Sequence, residues 1–74
     1  MHDEIGKVAG EIWNTLSSRG ELSLAQLKKD VKQKAPLFDW AVGWLAREGK
    51  IVIARHKSSF RIQLTDTERR ATSA

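Results

Sequence analysis

The sequence predicts an α+β domain in which three helices are followed by a two-stranded β-hairpin. Three observations carry this reading. An apolar stripe of Ile5, Val8, Ala9, Ile12, Trp13 and Leu16 recurs at helical spacing near the start of the chain. A Trp-rich helical pattern runs from Pro36 to Glu48 and stops at Gly49. Directly after it, two period-2 segments, Lys50-Ile51-Val52-Ile53-Ala54 and Phe60-Arg61-Ile62-Gln63-Leu64, flank a basic polar tip, Arg55-His56-Lys57-Ser58-Ser59.

Asp3 suits the N-cap of the first helix, and Gly20 after Arg19 supplies a left-handed stop. Glu21-Leu22-Ser23 is too short to be more than an extended link or a one-rung strand. Ser23 stands three residues before Gln26, the spacing of a capping box. Leu24, Leu27 and Val31 then continue at helical spacing, which predicts a second helix from about Leu24 to about Val31. Lys28, Lys29, Lys32 and Lys34 crowd its end, where the helix dipole favours cations. Pro36 fits the first turn of the third helix, because its fixed φ and missing N–H cost nothing there. In the hairpin, alternation puts Ile51, Ile53, Phe60, Ile62 and Leu64 on one side, with Val52 and Ala54 facing outward. The expected core is Ile5, Val8, Ile12, Leu16, Leu27, Ala41, Leu45, Ile53, Ile62 and Leu64. Thr65 to Ala74 show no apolar periodicity, so residues 1–65 are read as the domain and 66–74 as a frayed tail.

The chain's 74 residues make one small domain, and a chain of this size buries only about 60% of the surface that its unfolded form exposes. It has no cysteine, which excludes disulfides, cysteine-based zinc sites and thiol chemistry. No apolar run is long enough to span a bilayer, and Met1-His2-Asp3-Glu4 is acidic where a secretory signal would be basic. The expected location is the cytoplasm, with no membrane partner. The net charge of +4 is unevenly placed, with −1 over residues 1–20, +2 over 21–50 and +3 over 51–64. A surplus of this size is compatible with nucleic acid without requiring it.

The order helix, link, helix, helix, hairpin resembles the winged helix-turn-helix fold over residues 3–65. The segment Ala41-Val42-Gly43-Trp44-Leu45-Ala46-Arg47-Glu48-Gly49-Lys50-Ile51 looks like a recognition helix running into a wing. Together with Ile5-Gly6 and Ile12-Trp13, it is similar to a family of small stand-alone prokaryotic winged-helix proteins of uncharacterised function. The resemblance implies a fold whose usual work is holding DNA or a protein partner. It implies no particular activity.

On a wheel of 100° per residue, Trp44, Leu37, Ala41, Leu45 and Phe38 gather on one side of the third helix, flanked by Trp40 and Val42. The opposite side holds Pro36, Asp39, Gly43, Ala46 and Arg47. A helix that reads bases in the major groove needs outward donors and acceptors. This side offers one arginine, one carboxylate that phosphates repel, and no Asn or Gln, so sequence-specific readout is not expected. Non-specific contact is a separate matter. Lys28, Lys29, Lys32, Lys34, Arg47, Arg55, His56, Lys57, Ser58 and Arg61 are the candidates for nucleic-acid contact, the cations by neutralising phosphates. The same charges would also serve as a solvated surface that guards the hairpin against edge pairing.

Three tryptophans are a heavy load for a chain of this length. Trp13 lies on the first helix's stripe and is expected in the core. Trp40 and Trp44 stand at one end of an apolar arc of about 200°, about twice what one packed side needs. Either Trp40 caps the core edge with its N–H in water, or the surplus is a protein interface with Trp40, Trp44 and Val52 as its residues. Catalysis has little to stand on. His2 is terminal, His56 sits at the hairpin tip with no acid beside it, and there is no Gly-rich phosphate loop or nucleophile with a matching base. No cofactor, metal or small-molecule substrate is expected. Two readings follow. One is a small regulatory binding module that self-associates as a homodimer and touches double-stranded DNA weakly and non-specifically. The other is a protein-interaction or dimerisation module with no DNA binding.

Overall fold

The apolar stripe at the start of the chain becomes α1, His2–Arg19. This helix starts before the expected cap, so Asp3 lies inside the first turn beside Glu4, where carboxylates meet the positive end of the dipole. Gly20 ends it at φ 79°, a left-handed conformation that glycine adopts without steric cost, and its N–H donates to the Leu16 carbonyl at 2.8 Å. The computed structural model describes residues 2–33 and 36–72.

The capping box at Ser23 forms as its spacing requires. The Gln26 N–H donates to Ser23 Oγ, and the Ser23 N–H donates to Gln26 Oε1, both at 3.2 Å. This pair starts α2, Leu24–Val31. Pro36 takes the N-cap position of α3, Leu37–Arg47, and its carbonyl accepts the Trp40 N–H at 2.9 Å. Gly49, at φ 73°, turns the chain out of α3.

Three antiparallel strands follow the period-2 pattern, with one addition. β1 is Leu22–Ser23, β2 is Ile51–His56 and β3 is Ser59–Leu64, in the order β1-β3-β2. The short link is therefore a strand, and the hairpin is part of a three-stranded sheet. Leu22 and Ile53 lie opposite Ile62 from the two sides, Ile51 lies opposite Leu64, and Arg55 lies opposite Phe60.

The core forms where α1 packs on α3 and the base of the sheet closes against the helices. It contains Val8, Ala9, Ile12, Leu16, Leu22, Leu27, Val31, Phe38, Ala41, Val42, Leu45, Ile51, Ile62 and Leu64. Ile5 is partly buried at its margin. One expected core position in the hairpin, Ile53, is corrected, and Phe60 on the same side is exposed as well. Ile53 is 43% exposed and Phe60 is 42% exposed. Alternation gave their side correctly, but only the base of the hairpin is covered, so burial fades toward the tip.

The third helix is also turned relative to the wheel reading. Phe38, Ala41, Val42 and Leu45 are buried, Ala46 is half-buried, and Trp40 and Trp44 are exposed. The buried face is centred about 50° away from the centre of the apolar arc on the helical wheel. Trp44, placed on the inward side, therefore faces out, and Ala46, placed outward, packs at the core edge.

Residues 66–72 also depart from expectation. The frayed tail is replaced over Asp66–Thr72 by α4. Its Glu68 accepts the Trp13 indole N–H at 2.8 Å and lies 3.6 Å from the Lys50 ammonium. Trp13 is thus half-buried at the core margin, with its polar edge satisfied by α4.

Leu45 is 2% exposed and belongs to the buried core. Leu45→Ala is expected to cost about 2–5 kcal/mol, a large share of the stability of so small a domain. Chemical denaturation checks this, and a variant of near-native stability would show that α3 does not carry the core.

Candidate functional site

The predicted cations fall on different parts of the surface. Lys28, in the last turn of α2, shares a groove of about 310 Å³ with Ser23, Leu24 and Ala25 on one side and Ser58, Ser59 and Phe60 of the hairpin tip on the other. The Lys28 ammonium also lies 5.8 Å from the centroid of the Phe38 ring, within cation–π range. Lys29 and Lys32 line a shallow depression against α1, with Asn14, Thr15, Ser18, Arg19 and Asp30. Arg19 and Asp30 are ion-paired there. Lys28 thus reaches toward the wing and Lys32 toward α1, while Lys29 borders both neighbourhoods, sharing a further depression with Lys28, Ala25 and Gln26. Lys34 lies outside the described residues.

Arg55, His56, Lys57, Ser58 and Arg61 are all exposed on the hairpin. Register sets their sides. Arg61 pairs with Ser23 and Ala54 on the outward side, whereas Arg55 shares the side of Phe60 and Ile62. Lys57 is held at φ 56°, a conformation that costs an L-residue strain and is usually given to glycine. The Ser59 hydroxyl donates to the His56 carbonyl at 3.1 Å across the same turn.

A second surface lies between α1 and α3. Ile5 and Gly6 of α1, with Asp39, Trp40, Gly43, Trp44, Arg47 and Glu48, line an open groove of about 720 Å³. Trp40 is 46% exposed and Trp44 is 45% exposed. A further depression continues from Gly6 and Trp44 past Gly10 to Trp13 and Glu68. Arg47, read from sequence with the nucleic-acid candidates, is grouped by the fold with the tryptophans. Val52, read with the tryptophans, is exposed on the outward side of β2 and does not line their groove. Among the described residues, no three His, Asp or Glu side chains gather to hold a metal ion, and no helix is long and apolar enough to cross a membrane.

Residues 1–64 match a family described as a winged helix-turn-helix domain, DUF2582. The chain belongs to this family. It is similar to MJ1608 of Methanocaldococcus jannaschii, described as an uncharacterized protein, with 36% identity over 67 residues that cover 86% of this chain and 94% of that protein. The fold is similar to the solution NMR structure of protein BT2368 from Bacteroides thetaiotaomicron. That likeness has a TM-score of 0.73 and 34% identity, and covers 84% of this chain and 76% of that one.

In this winged helix, the hairpin is the wing and α3 is the helix that a DNA reader would insert. Sequence reasoning marked Trp40 and Trp44 as surplus to one packed side of the helix and read the wing as basic. It missed the parts of α1 that complete the groove. Gly6 and Gly10, four residues apart on α1 with open space where a Cβ would stand, were the available signal.

The strain at the wing tip gives a test. Lys57→Gly is expected to stabilise the domain by about 0.5–1 kcal/mol, the relief of the left-handed strain exceeding the entropy cost of glycine. A higher urea midpoint checks it. A lower midpoint would mean that the Lys57 side chain itself stabilises the turn.

Proposed function

We propose that this winged helix domain is a non-enzymatic binding module that self-associates through the outward face of α3. The observation that carries this is the exposure of Trp40 and Trp44 where a DNA-reading helix would present hydrogen-bonding side chains. Large aromatic rings left half in water are costly to a monomer and are enriched at the cores of interfaces. Asp39 and Glu48 line the same groove and would repel phosphates, which argues against insertion of this helix into a major groove.

A second surface supports a weaker, salt-sensitive contact with double-stranded DNA. Lys28 and the tip serines face one groove, and Arg55, Lys57 and Arg61 stand exposed along the wing. These groups suit phosphates and carry no base readout. In this reading the wing and α2 hold DNA without sequence preference while α3 holds protein.

Two measurements test the proposal together. Sedimentation is expected to show a dimer at micromolar to millimolar protein, and Trp44→Ala is expected to weaken it by about 2 kcal/mol, about thirtyfold. Titration of mixed-sequence duplex at two salt concentrations is expected to give log K falling with log salt at about −0.9 per phosphate neutralised. Charge reversal at Arg55 or Lys57 should weaken binding to all sequences alike. A strong preference for one DNA site that depends on residues 39–47 would contradict the proposal for α3, and absence of binding at low salt would remove the DNA half of it.

A further inference from the structure

We propose that two copies of this chain pair through their third helices, antiparallel across a two-fold axis at Gly43, with Asp39 of each copy facing Arg47 of the other. This rests on the self-association reading and gives it a geometry.

The charges of α3 are arranged for this. Asp39 and Arg47 stand four residues to either side of Gly43 and line the same groove. At about 1.5 Å rise per residue they are about 12 Å apart along the helix, too far to pair with each other. Among the described residues, neither forms an ion pair. A two-fold axis at Gly43 exchanges their places, so a second copy presents the opposite charge at both ends of the contact at once. That is the self-complementarity an isologous interface requires.

Gly43 supports the same geometry. A glycine inside a helix weakens it. Nothing lies within 4 Å of the place where its Cβ would be, so packing within the chain gives no reason for a glycine there. At a helix crossing, the missing side chain lets the two axes approach. The indoles of Trp40 and Trp44 flank that crossing and would be covered by the other copy. The contact closes at two subunits, and a small domain gains stability from it. A duplex is a poor occupant of this face, because Asp39 and Glu48 would meet its phosphates.

The test is a charge exchange followed by sedimentation. Asp39→Lys alone places two cations together at both ends of the contact, and Arg47→Glu alone places two anions there. Each variant is expected to lose affinity for itself by about tenfold or more. An equimolar mixture of the two is expected to recover a heterodimer, because every facing pair is again opposite in sign. The double variant Asp39→Lys with Arg47→Glu is expected to recover a homodimer, and Gly43→Leu to stay folded but monomeric. Circular dichroism establishes that each variant is folded before mixing. If both single variants dimerise like the natural chain while Trp44→Ala does not, association through the tryptophans stands and the antiparallel pairing is overturned. Folded variants whose mixture and double form stay monomeric overturn it as well. A natural chain that is monomeric at every concentration overturns both the pairing and the self-association reading.

Discussion

The packing of α1 on α3 is the constraint on which the rest of the structure depends. The Val8, Ala9, Ile12 and Leu16 stripe shares one buried core with Phe38, Ala41, Val42 and Leu45. Fully burying a large apolar side chain contributes about 1.5–3 kcal/mol, so these residues fix the rotation of α3 about its own axis. Turning the helix to bury Trp40 and Trp44 would bring Phe38 and Val42 toward water. The face left outside, Asp39, Trp40, Gly43, Trp44 and Arg47, follows from that choice. The base of the sheet, through Ile51, Ile62 and Leu64, closes the remaining side of the same core.

Much of this was legible locally. The Ser23–Gln26 capping box, the glycine stops at Gly20 and Gly49, and the period-2 strands each depend on neighbours in sequence, and each formed. What was misread depends on distant cover. Ile53 alternates correctly but lies above the covered base of the hairpin, and alternation says nothing about where a sheet stops being covered. The phase of α3 was misplaced because the hydrophobicity of Trp40 and Trp44 pulls the apolar arc toward themselves. Which part of a broad arc is buried is decided by what packs against it, here α1 and the base of the sheet. α4 has no stripe to announce it. It is tied to the domain by Glu68, through polar contacts to Trp13 and Lys50 that no local pattern encodes.

The candidate surfaces divide in the same way. That the wing is basic and that two tryptophans are in surplus could be read from residue types. Their grouping could not. The fold sends Arg47 to the tryptophan groove, leaves Val52 on the outward side of the sheet, and turns Lys28 toward the wing and Lys32 toward α1. The tryptophan groove and the groove beside the wing share no lining residue. This domain therefore presents two surfaces of different chemistry, an apolar groove with charges of both signs and a groove that carries Lys28 beside the basic wing. Their chemistry differs enough for salt to act on one far more than on the other.

In the proposed reading, α3 faces protein and not solvent or a base edge. The three indole N–H signals of the folded protein test it most directly, followed by two-dimensional nitrogen–proton correlation over a dilution series. Trp13, bonded to Glu68 within one chain, serves as the internal reference. The Trp40 and Trp44 signals are expected to move together as the protein is diluted while the Trp13 signal stays fixed. Three signals that hold their positions over the whole concentration range would contradict it.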